Sequence, residues 1–423
     1  MNMDPSPPEL PASYQLVPAG EIEQRLKKTQ ESLAQTELEG LLVLQNVDRY
    51  YFTGTLQDGV LWLPRSGKPV FWVRRSLARA RQESPLSEIR PQPLDHAELI
   101  RELQTELGGA RNLGLELDVV PVRVAERWRS LLPESCRLSD ASFLIRSLRA
   151  RKSAYEISCI TKAAAIMDQV MDHAATVLTC KLSEIELMAE LEHQARRLGH
   201  LGIVRMRGWN NELFFGHTLS GGEGARRGYL DSPTNGLGLG AAFSQGASDT
   251  KLQPGTPISI DFMVNCEGYL ADLTRMFCLG EPSAQLQRTH HDLLRLNHEL
   301  VAALQPGRAG GEIYARALKL AAEFGFSDYF LGHGRDQVSF VGHGVGLEVD
   351  EFPFLARGNR MLLEEGMVVA LEPKLTFPPH HQAPAPYRDL PATAVTTETT
   401  YLITGNAVLP LTLTPENIKI ISN

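Results

Sequence analysis

This sequence has few cysteines, no excess of positive charge and no long apolar run. The five cysteines are odd in number, scattered and without CxxC spacing, which argues against a disulfide framework and predicts a reducing, cytoplasmic compartment. No uninterrupted apolar run reaches the roughly 18–20 residues that cross a bilayer, so we expect no membrane span. The formal net charge of −8 leaves no electrostatic footprint for nucleic acid or for an anionic membrane.

The overall amino-acid composition is that of an ordinary globular protein. Hydrophobic residues make up 43% and charged residues 22% of the 423 residues, which is enough chain for two or three domains with their own cores. The proline-rich start lacks a basic segment followed by an apolar core. Residues 1–15 are therefore predicted to form a flexible arm and not a secretory signal.

Helical and strand patterns divide the rest of the chain into two parts. From residue 16 to 150 they alternate, beginning with a helix predicted at Glu21–Gln35, which favours an α/β layer domain. From 151 to 423, helical periodicity at Ala154–Val177 is followed by paired strands with interposed helices. That order favours an α+β domain built on a curved antiparallel sheet. The basic stretch from Ile145 to Glu156 is interpreted as a solvated helix face or linker.

Two carboxylates occur in a predicted β-hairpin. Apolar runs on either side of the polar tetrad NCEG are typical of two antiparallel strands joined by a turn. With the turn centred between Cys266 and Glu267, Asp261 and Asp272 would lie opposite each other, with Cβ atoms roughly 4.5–5.5 Å apart. Acids that close in an apolar sheet repel unless one is protonated or a cation lies between them. The pair therefore predicts a metal site, with solvated or capping aspartates as the alternative.

Three later segments each add one candidate ligand. His343 lies in the glycine-rich segment FVGHGVGLE, Glu372 ends the apolar run GMVVALE, and Glu398 lies in the middle of the β-branched run TTETTYLIT. Glycines let the backbone pack closely around an imidazole, and neutral imidazole is the commonest nitrogen ligand for catalytic cations. Each segment alone is a weak signal, because a glutamate at a strand end is more often exposed than bound to a metal.

Together these segments resemble the creatinase, Xaa-Pro aminopeptidase and prolidase family of metallopeptidases, which has the pita-bread fold. The motifs GYxxDxTRxF, GHGxGLE and GMxxxxEP match that family, and the resemblance covers nearly the whole chain. It implies an α+β pita-bread catalytic domain at 151–423, preceded by a creatinase-like α/β domain at 16–150. It also implies five metal ligands, in the order Asp261, Asp272, His343, Glu372 and Glu398.

The resemblance implies metal-assisted hydrolysis at two divalent cations. Four carboxylates balance two dications, and oxygen-rich ligation with one nitrogen suits manganese, our first expectation, or cobalt, iron or zinc. Two cations roughly 3.5–4 Å apart can share a water and lower its pKa. The catalytic residues would be Glu372, as general base for that water, and His343, which would hold one cation. The family's usual form is a homodimer that acts on a short peptide or small molecule.

Three positions depart from the family pattern and bear on the substrate. Family peptidases usually carry a histidine 17 residues before the first ligand, and that position is Ser244 here. Many members have a second histidine where this chain has Asp350, which would either act as a neutral donor beside the metal acids or point elsewhere. Thr396 stands where prolyl peptidases commonly have an arginine, so one way of anchoring the site is lost.

A glycine-rich insertion from residue 221 to 242 precedes Ser244. Loops over sites commonly carry specificity, and Arg226 and Arg227 could receive a substrate carboxylate, although a solvated loop is the ordinary interpretation. His217, on the strand that enters the insertion, either replaces a missing substrate-binding histidine or is a satisfied core histidine. Three further histidines occur in polar or proline-rich loops and are expected to be exposed: His333, His380 and His381.

The leading functional prediction is a Xaa-Pro aminopeptidase or dipeptidase-like metallopeptidase with Ser244, Asp350 and His217 as substrate residues. The departures keep two alternatives open. One is the same metal cage acting on a non-peptide C–N or C–S bond, in the manner of creatinase or a related lyase. The other is a catalytically silent peptide-binding relative, which the presence of all five ligands disfavours.

Overall fold

The computed structural model describes residues 8–422 of the chain, so the first seven residues of the predicted arm at 1–15 lie outside the described residues. The rest of that arm is partly anchored, because the Tyr14 hydroxyl donates a 2.6 Å hydrogen bond to Glu83. The chain divides into two compact units between Arg149 and Ala150. No helix formed by residues 8–422 is both long and apolar enough to span a membrane.

The described part of the first unit is an α/β layer structure, as the alternating pattern predicts. Its six strands form one sheet in the order β4-β3-β2-β1-β5-β6, and Leu42, Trp62 and Trp72 of that sheet pack with α4 and α5 in one core. The strands are β1 Gly40–Val43, β2 Gly59–Pro64, β3 Val70–Val73, β4 Ile89–Pro91, β5 Asn112–Leu115 and β6 Arg137–Asp140. The helices are α1 Ala19–Leu33, α2 Asn46–Thr53, α3 Leu77–Glu83, α4 His96–Leu107, α5 Val122–Leu131 and α6 Ser142–Ala150.

The second unit is the predicted α+β structure built on an antiparallel sheet. Within the described residues the sheet runs β10-β11-β14-β9-β8-β7, β15 pairs with β14, β16 pairs with β9, and β12 and β13 form a separate two-stranded sheet. The strands are β7 Gly216–Ser220, β8 Pro257–Cys266, β9 Tyr269–Leu279, β10 Gly342–Gly344, β11 Val368–Leu371, β12 Lys374–Phe377, β13 Thr393–Thr396, β14 Glu398–Ile403, β15 Val408–Pro410 and β16 Lys419–Ile421. The helices are α7 Ala154–Val177, α8 Glu184–Leu198, α9 Ala284–Ala303 and α10 Gly310–Glu323.

Capping residues fix the starts of α7 and α8. Ser153 accepts a hydrogen bond from the backbone of Glu156, whose carboxylate reaches back to the Ser153 N–H, and Ser183 and Glu186 repeat this capping box. Each box satisfies backbone donors that the first turn leaves without partners. The predicted helix at Ala154–Val177 is confirmed, since α7 has these same bounds.

The interpretation of the basic stretch from Ile145 to Glu156 as a solvated helix face or linker is wrong for Arg149, which is buried. Helix α6 occupies the start of this stretch, and Arg149 is only 2% exposed. Its Nη1 donates a 2.6 Å hydrogen bond to Asp48 Oδ1, which is itself fully buried. A buried arginine needs such a partner, and the sequence pattern did not show that Asp48 would supply it.

The turn of the β8–β9 hairpin lies one residue further along the chain than predicted, which shifts the strand pairing by two residues. Its turn consists of Glu267 and Gly268, which both have positive φ, 54° and 92°, as two-residue hairpin turns require. Cys266 therefore pairs with Tyr269, and Asp261 lies opposite Thr274 and not opposite Asp272. The two aspartates are diagonal neighbours that still share one face of the sheet, because side chains alternate with a period of two.

Candidate metal centre

The five predicted ligands reach one cavity from neighbouring strands of the larger sheet. Asp261 lies on β8, Asp272 on β9 and His343 on β10. Glu372 directly follows β11, and Glu398 opens β14. Because these strands are adjacent in the order β10-β11-β14-β9-β8, side chains that are far apart in the sequence line a single cavity of about 440 Å³.

Two local predictions about these segments differ from the structure. The glycine-rich segment around His343 forms a short strand and not a loop, and a Cβ at Gly344 would lie 2.2 Å from the Phe352 carbonyl oxygen, so this close approach requires glycine. Glu398 begins its strand and does not lie in the middle of one. The backbone changes partners at Thr397, where β13 of the small sheet ends and β14 of the large sheet begins.

Three of the five predicted ligands already lie close enough to hold one ion. One potential ligand atom from each of Asp272, His343 and Glu398 lies within 4.8 Å of the other two. His343 Nε2 is also 3.3 Å from Glu372 Oε1, while its Nδ1 lies 3.2 Å from the Gly344 carbonyl oxygen. The Thr274 hydroxyl donates a 2.8 Å hydrogen bond to Glu398 Oε2. Such outer contacts orient the groups that bind a metal.

The electrostatics of these acids fit a bound cation. Burial, followed by the charges of Glu398 and Asp261, holds the pKa of Asp272 well above its usual range. Burial and the charge of Glu372 raise the pKa of Glu398 to about 8. Among the described residues, the buried Oδ1 of Asp272 has no hydrogen-bond partner. Burying a carboxylate oxygen without a partner costs free energy unless a cation binds it. This set of oxygen and nitrogen donors therefore fits a divalent ion.

His343 and Glu372 respond differently because they contact each other. Burial alone would lower the pKa of His343, but the hydrogen bond and charge of Glu372 outweigh it and raise that pKa to about 10. Burial would raise the pKa of Glu372, but the positive charge of Lys374 and the contact with His343 lower it to about 2. Glu372 is therefore ionised at neutral pH.

Lys374 contacts three of the predicted ligands, and the sequence prediction did not include it. Its Nζ lies 2.6 Å from Glu372 Oε2, 3.4 Å from Asp261 Oδ2 and 3.6 Å from Glu398 Oε2, and the side chain is 3% exposed. Burial would lower the pKa of this lysine, but the three carboxylates hold it well above its usual range. One signal was available in the sequence, because a residue two positions after Glu372 in extended backbone points to the same side.

Two family models match the chain in separate stretches. The model described as Creatinase/Prolidase N-terminal domain matches residues 25–151. The model described as Metallopeptidase family M24 matches residues 158–405, which is more than half of the chain and includes all five predicted ligands. The chain belongs to metallopeptidase family M24.

Relatives of this M24 chain are similar over most of its length. A Xaa-Pro dipeptidase of Pyrococcus horikoshii is 25% identical over 84% of the chain and 91% of the relative. A Xaa-Pro dipeptidase of Pyrococcus furiosus is 25% identical over 94% of the chain and all of the relative. The crystal structure of the dipeptidase PepE of Mycobacterium ulcerans superposes with a TM-score of 0.77, covering 97% of the chain and 100% of PepE. At 24% identity, this last similarity bears on the fold alone.

Two of the three predicted substrate residues line the cavity of this M24 chain. His217 lies opposite Asp261 in the β7–β8 register, with its Nε2 3.7 Å from Asp261 Oδ2. Asp350 is half-buried on the cavity wall, where Oδ1 accepts a 3.4 Å hydrogen bond from the Arg207 N–H. Ser244 is exposed, and among the described lining residues its neighbour Gln245 is present instead.

Thr396 is buried, and its Oγ1 lies 3.0 Å from the hydroxyl of Ser259. It lies directly opposite Lys374 in the β12–β13 pair. Prolyl peptidases commonly have an arginine at the position of Thr396. In this chain Lys374, on the paired strand, supplies a positive charge to the same part of the site.

The insertion forms part of the cavity wall through residues that the sequence did not indicate. Leu230, Asp231, Ser232 and Thr234 line the cavity. Arg226 is exposed and pairs with Glu223 at 2.7 Å, whereas Arg227 contacts the Ser232 carbonyl oxygen.

The three histidines predicted to be exposed in loops differ in their exposure. His333 and His380 are exposed as expected. His381 was expected to be exposed but is half-buried, and its Nε2 lies 2.8 Å from the Leu390 carbonyl oxygen.

Proposed function

We propose that this M24 metallopeptidase is a Xaa-Pro dipeptidase-like exopeptidase that hydrolyses short peptides at the bond before proline. The convergence of Asp261, Asp272, His343, Glu372 and Glu398 at one cavity is the observation that carries the proposal. The names of the Pyrococcus relatives support the substrate class. Manganese is our first choice of metal, since oxygen-rich ligation with one imidazole and no thiolate suits it.

The chemistry supplied by a bound divalent cation is Lewis-acid polarisation of a carbonyl and acidification of water. Glu372 would accept the proton of the attacking water, since its carboxylate is ionised and lies at the cavity. Its contact with His343 at 3.3 Å fixes the direction of the carboxylate. His217 and Asp350 would contact the substrate from the cavity walls.

The apolar part of the cavity wall suits a small hydrophobic ring. Met206, Leu213, Phe214 and Phe340 line the cavity beside the acids, and such surfaces bind an apolar ring while a few polar groups set its orientation. We further propose a homodimer in the cytoplasm, without a nucleic-acid or membrane partner. The free thiols of all five cysteines support a reducing compartment.

The proposal is tested with the full chain loaded with manganese and a panel of Xaa-Pro dipeptides and tripeptides. We expect release of the N-terminal amino acid from some of them. Glu372→Gln should lower kcat by about 10²- to 10⁴-fold, the typical contribution of a general base. Bound metal is counted in parallel, because Glu372 is also one of the five predicted ligands, and kcat is expressed per metal-loaded chain. Glu365→Gln, the same substitution at a nearby exposed glutamate, should leave activity at the wild-type level.

Failure to cleave any peptide by protein with measured bound metal would overturn the peptidase proposal. The same protein should then be offered creatine and a sulfonium acid. Turnover of either would assign the metal site to non-peptide C–N or C–S bond cleavage.

A further inference from the structure

We propose that the Lys374 ammonium occupies the place of one of the two cations expected in this family, so that the chain binds a single divalent ion at Asp272, His343 and Glu398. This inference rests on the proposed function only in taking these residues as a metal site. It concerns the number of metal ions and the role of a lysine that the five-ligand pattern does not include.

The position of the ammonium carries the first step. Lys374 Nζ contacts three of the four acids of the predicted metal cage, at 2.6 Å from Glu372, 3.4 Å from Asp261 and 3.6 Å from Glu398. A first-row cation binds carboxylate oxygens at roughly 2.0–2.2 Å. An ion held between Asp261 and Glu372 would therefore have to share the space of the ammonium nitrogen and would be repelled by its charge.

The lysine is fixed where it stands. Its side chain is 3% exposed, and its backbone is part of β12, where it pairs with Thr396. The Lys374 carbonyl oxygen also accepts a 2.8 Å hydrogen bond from the Leu331 N–H. A buried lysine amid carboxylates keeps its charge only because those partners remain close, so the acids and the ammonium hold each other in place.

The remaining groups form a complete set for one ion. Asp272, His343 and Glu398 each offer an atom within 4.8 Å of the others, and Asp272 Oδ1 has no hydrogen-bond partner among the described residues. Asp261 is not part of this group and faces Lys374 and His217 instead. The five predicted ligands thus separate into three that could surround an ion and two, Asp261 and Glu372, that contact the ammonium.

The test is the number of manganese ions bound per chain. Metal-free full-length protein is titrated with MnCl₂ by calorimetry, the bound metal is counted by elemental analysis, and electron paramagnetic resonance distinguishes an isolated Mn²⁺ from an exchange-coupled pair. Wild type should bind one ion with the spectrum of an isolated Mn²⁺. Lys374→Met, which keeps the apolar stem and removes the charge, should bind two and show the coupled spectrum.

Two controls make the count specific to the charge at this position. Lys374→Arg keeps a cation and should bind one ion, and Lys319→Met, at an exposed lysine on α10, should match wild type. Two ions in wild type, or one ion in a folded Lys374→Met protein, would overturn the inference. The wild-type count decides the question even if Lys374→Met does not fold.

The outcome is separable from that of the proposed function. Wild type that binds two ions and cleaves Xaa-Pro peptides would overturn the single-ion site and leave the peptidase proposal intact. Wild type that binds one ion and cleaves no peptide would support the single-ion site and overturn the peptidase proposal.

Discussion

Among the described residues that line the cavity, His217 is the histidine outside the predicted ligand set. It is buried, and its Nε2 has no hydrogen-bond partner among the described residues. Burial lowers its pKa despite the nearby charge of Asp261, so the imidazole is neutral at physiological pH. A neutral ring with an unsatisfied nitrogen can exchange a hydrogen bond with a substrate, which is the role we assign to it.

His217→Ala should therefore lower kcat/KM by about tenfold or more, since one lost hydrogen bond in a buried site costs roughly 1–3 kcal/mol. Steady-state kinetics on a cleaved Xaa-Pro dipeptide, with bound metal counted in parallel, would measure the change. The matched control is His200→Asn. His200 is also buried, and its Nε2 also lacks a hydrogen-bond partner among the described residues, but it is not among the residues that line the cavity. Its Nδ1 accepts a 3.2 Å hydrogen bond from the Gly202 N–H, and its ring centroid lies 4.1 Å from that of Phe215.

We expect the His200 variant to lose thermal stability and to retain kcat/KM, because His200 is not among the described cavity residues. A His217 variant with unchanged kcat/KM would assign this histidine to the core, the alternative that the sequence left open.

Single residues also show where prediction from sequence stops. The five-ligand prediction came from the resemblance to a family, because the segments around these residues match its motifs in the same order, although each segment alone is a weak signal. Ser244 was chosen by its spacing from Asp261, and spacing along the chain does not report which side chain of a segment without regular secondary structure faces the cavity. The neighbouring Gln245 lines it instead. Lys374 was missed because burial of a lysine depends on partners from other strands, and no local pattern reports them.

At the scale of elements, predictions succeeded where the local signal was strong. Helix α7 has a capping box at its start and sustained apolar periodicity, and its observed bounds are the predicted ones. The β8–β9 hairpin was correctly predicted, but its strand pairing was wrong by two residues because the Glu267-Gly268 turn, centred one residue later than predicted, was not recognised. The strands β4 and β6 are short and carry no comparable pattern, so they were not predicted. Helix α6 was anticipated only as a solvated helix face or linker.

The insertion is an element whose position depends on one buried acid. Glu184, the first residue of α8, accepts hydrogen bonds from the Ser220 N–H at 2.6 Å and from the Ser248 N–H and hydroxyl at 3.0 and 2.7 Å. Ser220 ends β7 just before the insertion, and Ser248 follows it. Burial raises the pKa of Glu184 to about 7 in spite of these contacts. This carboxylate therefore joins the two ends of the loop that walls the cavity.

Glu184→Ala should loosen the insertion and expose it to trypsin at Arg226 and Arg227. Loss of a buried acceptor costs roughly 1–3 kcal/mol, which corresponds to cleavage about tenfold faster or more when local opening limits the reaction. Mass spectrometry of a digestion time course would measure the rate at these two sites. Glu184→Gln, which keeps one acceptor oxygen, should be intermediate, and Glu190→Ala, at an exposed position on the same helix, should resemble wild type. Equal cleavage of Glu184→Ala and wild type would contradict this role.

At the scale of the whole molecule, each of the two units has a core of its own. The first contains three of the four tryptophans, Trp62, Trp72 and Trp128, in one hydrophobic cluster. The division of the chain into two parts could be predicted, because alternating helices and strands give way to long helices and paired strands near residue 150. What could not be predicted is the buried carboxyl group in the first unit. Glu116 is fully buried and accepts hydrogen bonds from the backbone N–H groups of Leu44 and Gln45, both at about 3 Å.

The stability of the first unit should depend on pH through Glu116. Burial, followed by the charge of Asp48, raises its pKa from the ordinary 4.5 to about 8, although the two backbone hydrogen bonds oppose this change. The folded state then keeps a proton that the unfolded state releases above about pH 4.5, so this stabilisation is complete below that pH and is lost as the pH rises toward 8. Each unit of pKa difference corresponds to roughly 1.4 kcal/mol.

Glu116→Gln should remove this pH dependence, because the amide is neutral at every pH and can still accept from the backbone. Urea unfolding followed by tryptophan fluorescence, which mainly reports the first unit, should show the variant gaining stability relative to wild type between pH 5 and pH 8.5. Glu126→Gln, at an exposed glutamate on α5, should run parallel to wild type across the same range. If Glu116→Gln also ran parallel to wild type, the buried carboxyl would have to be equally ionised in the folded and unfolded chains. The first unit would then hold a buried charge that its hydrogen bonds and neighbours fully compensate.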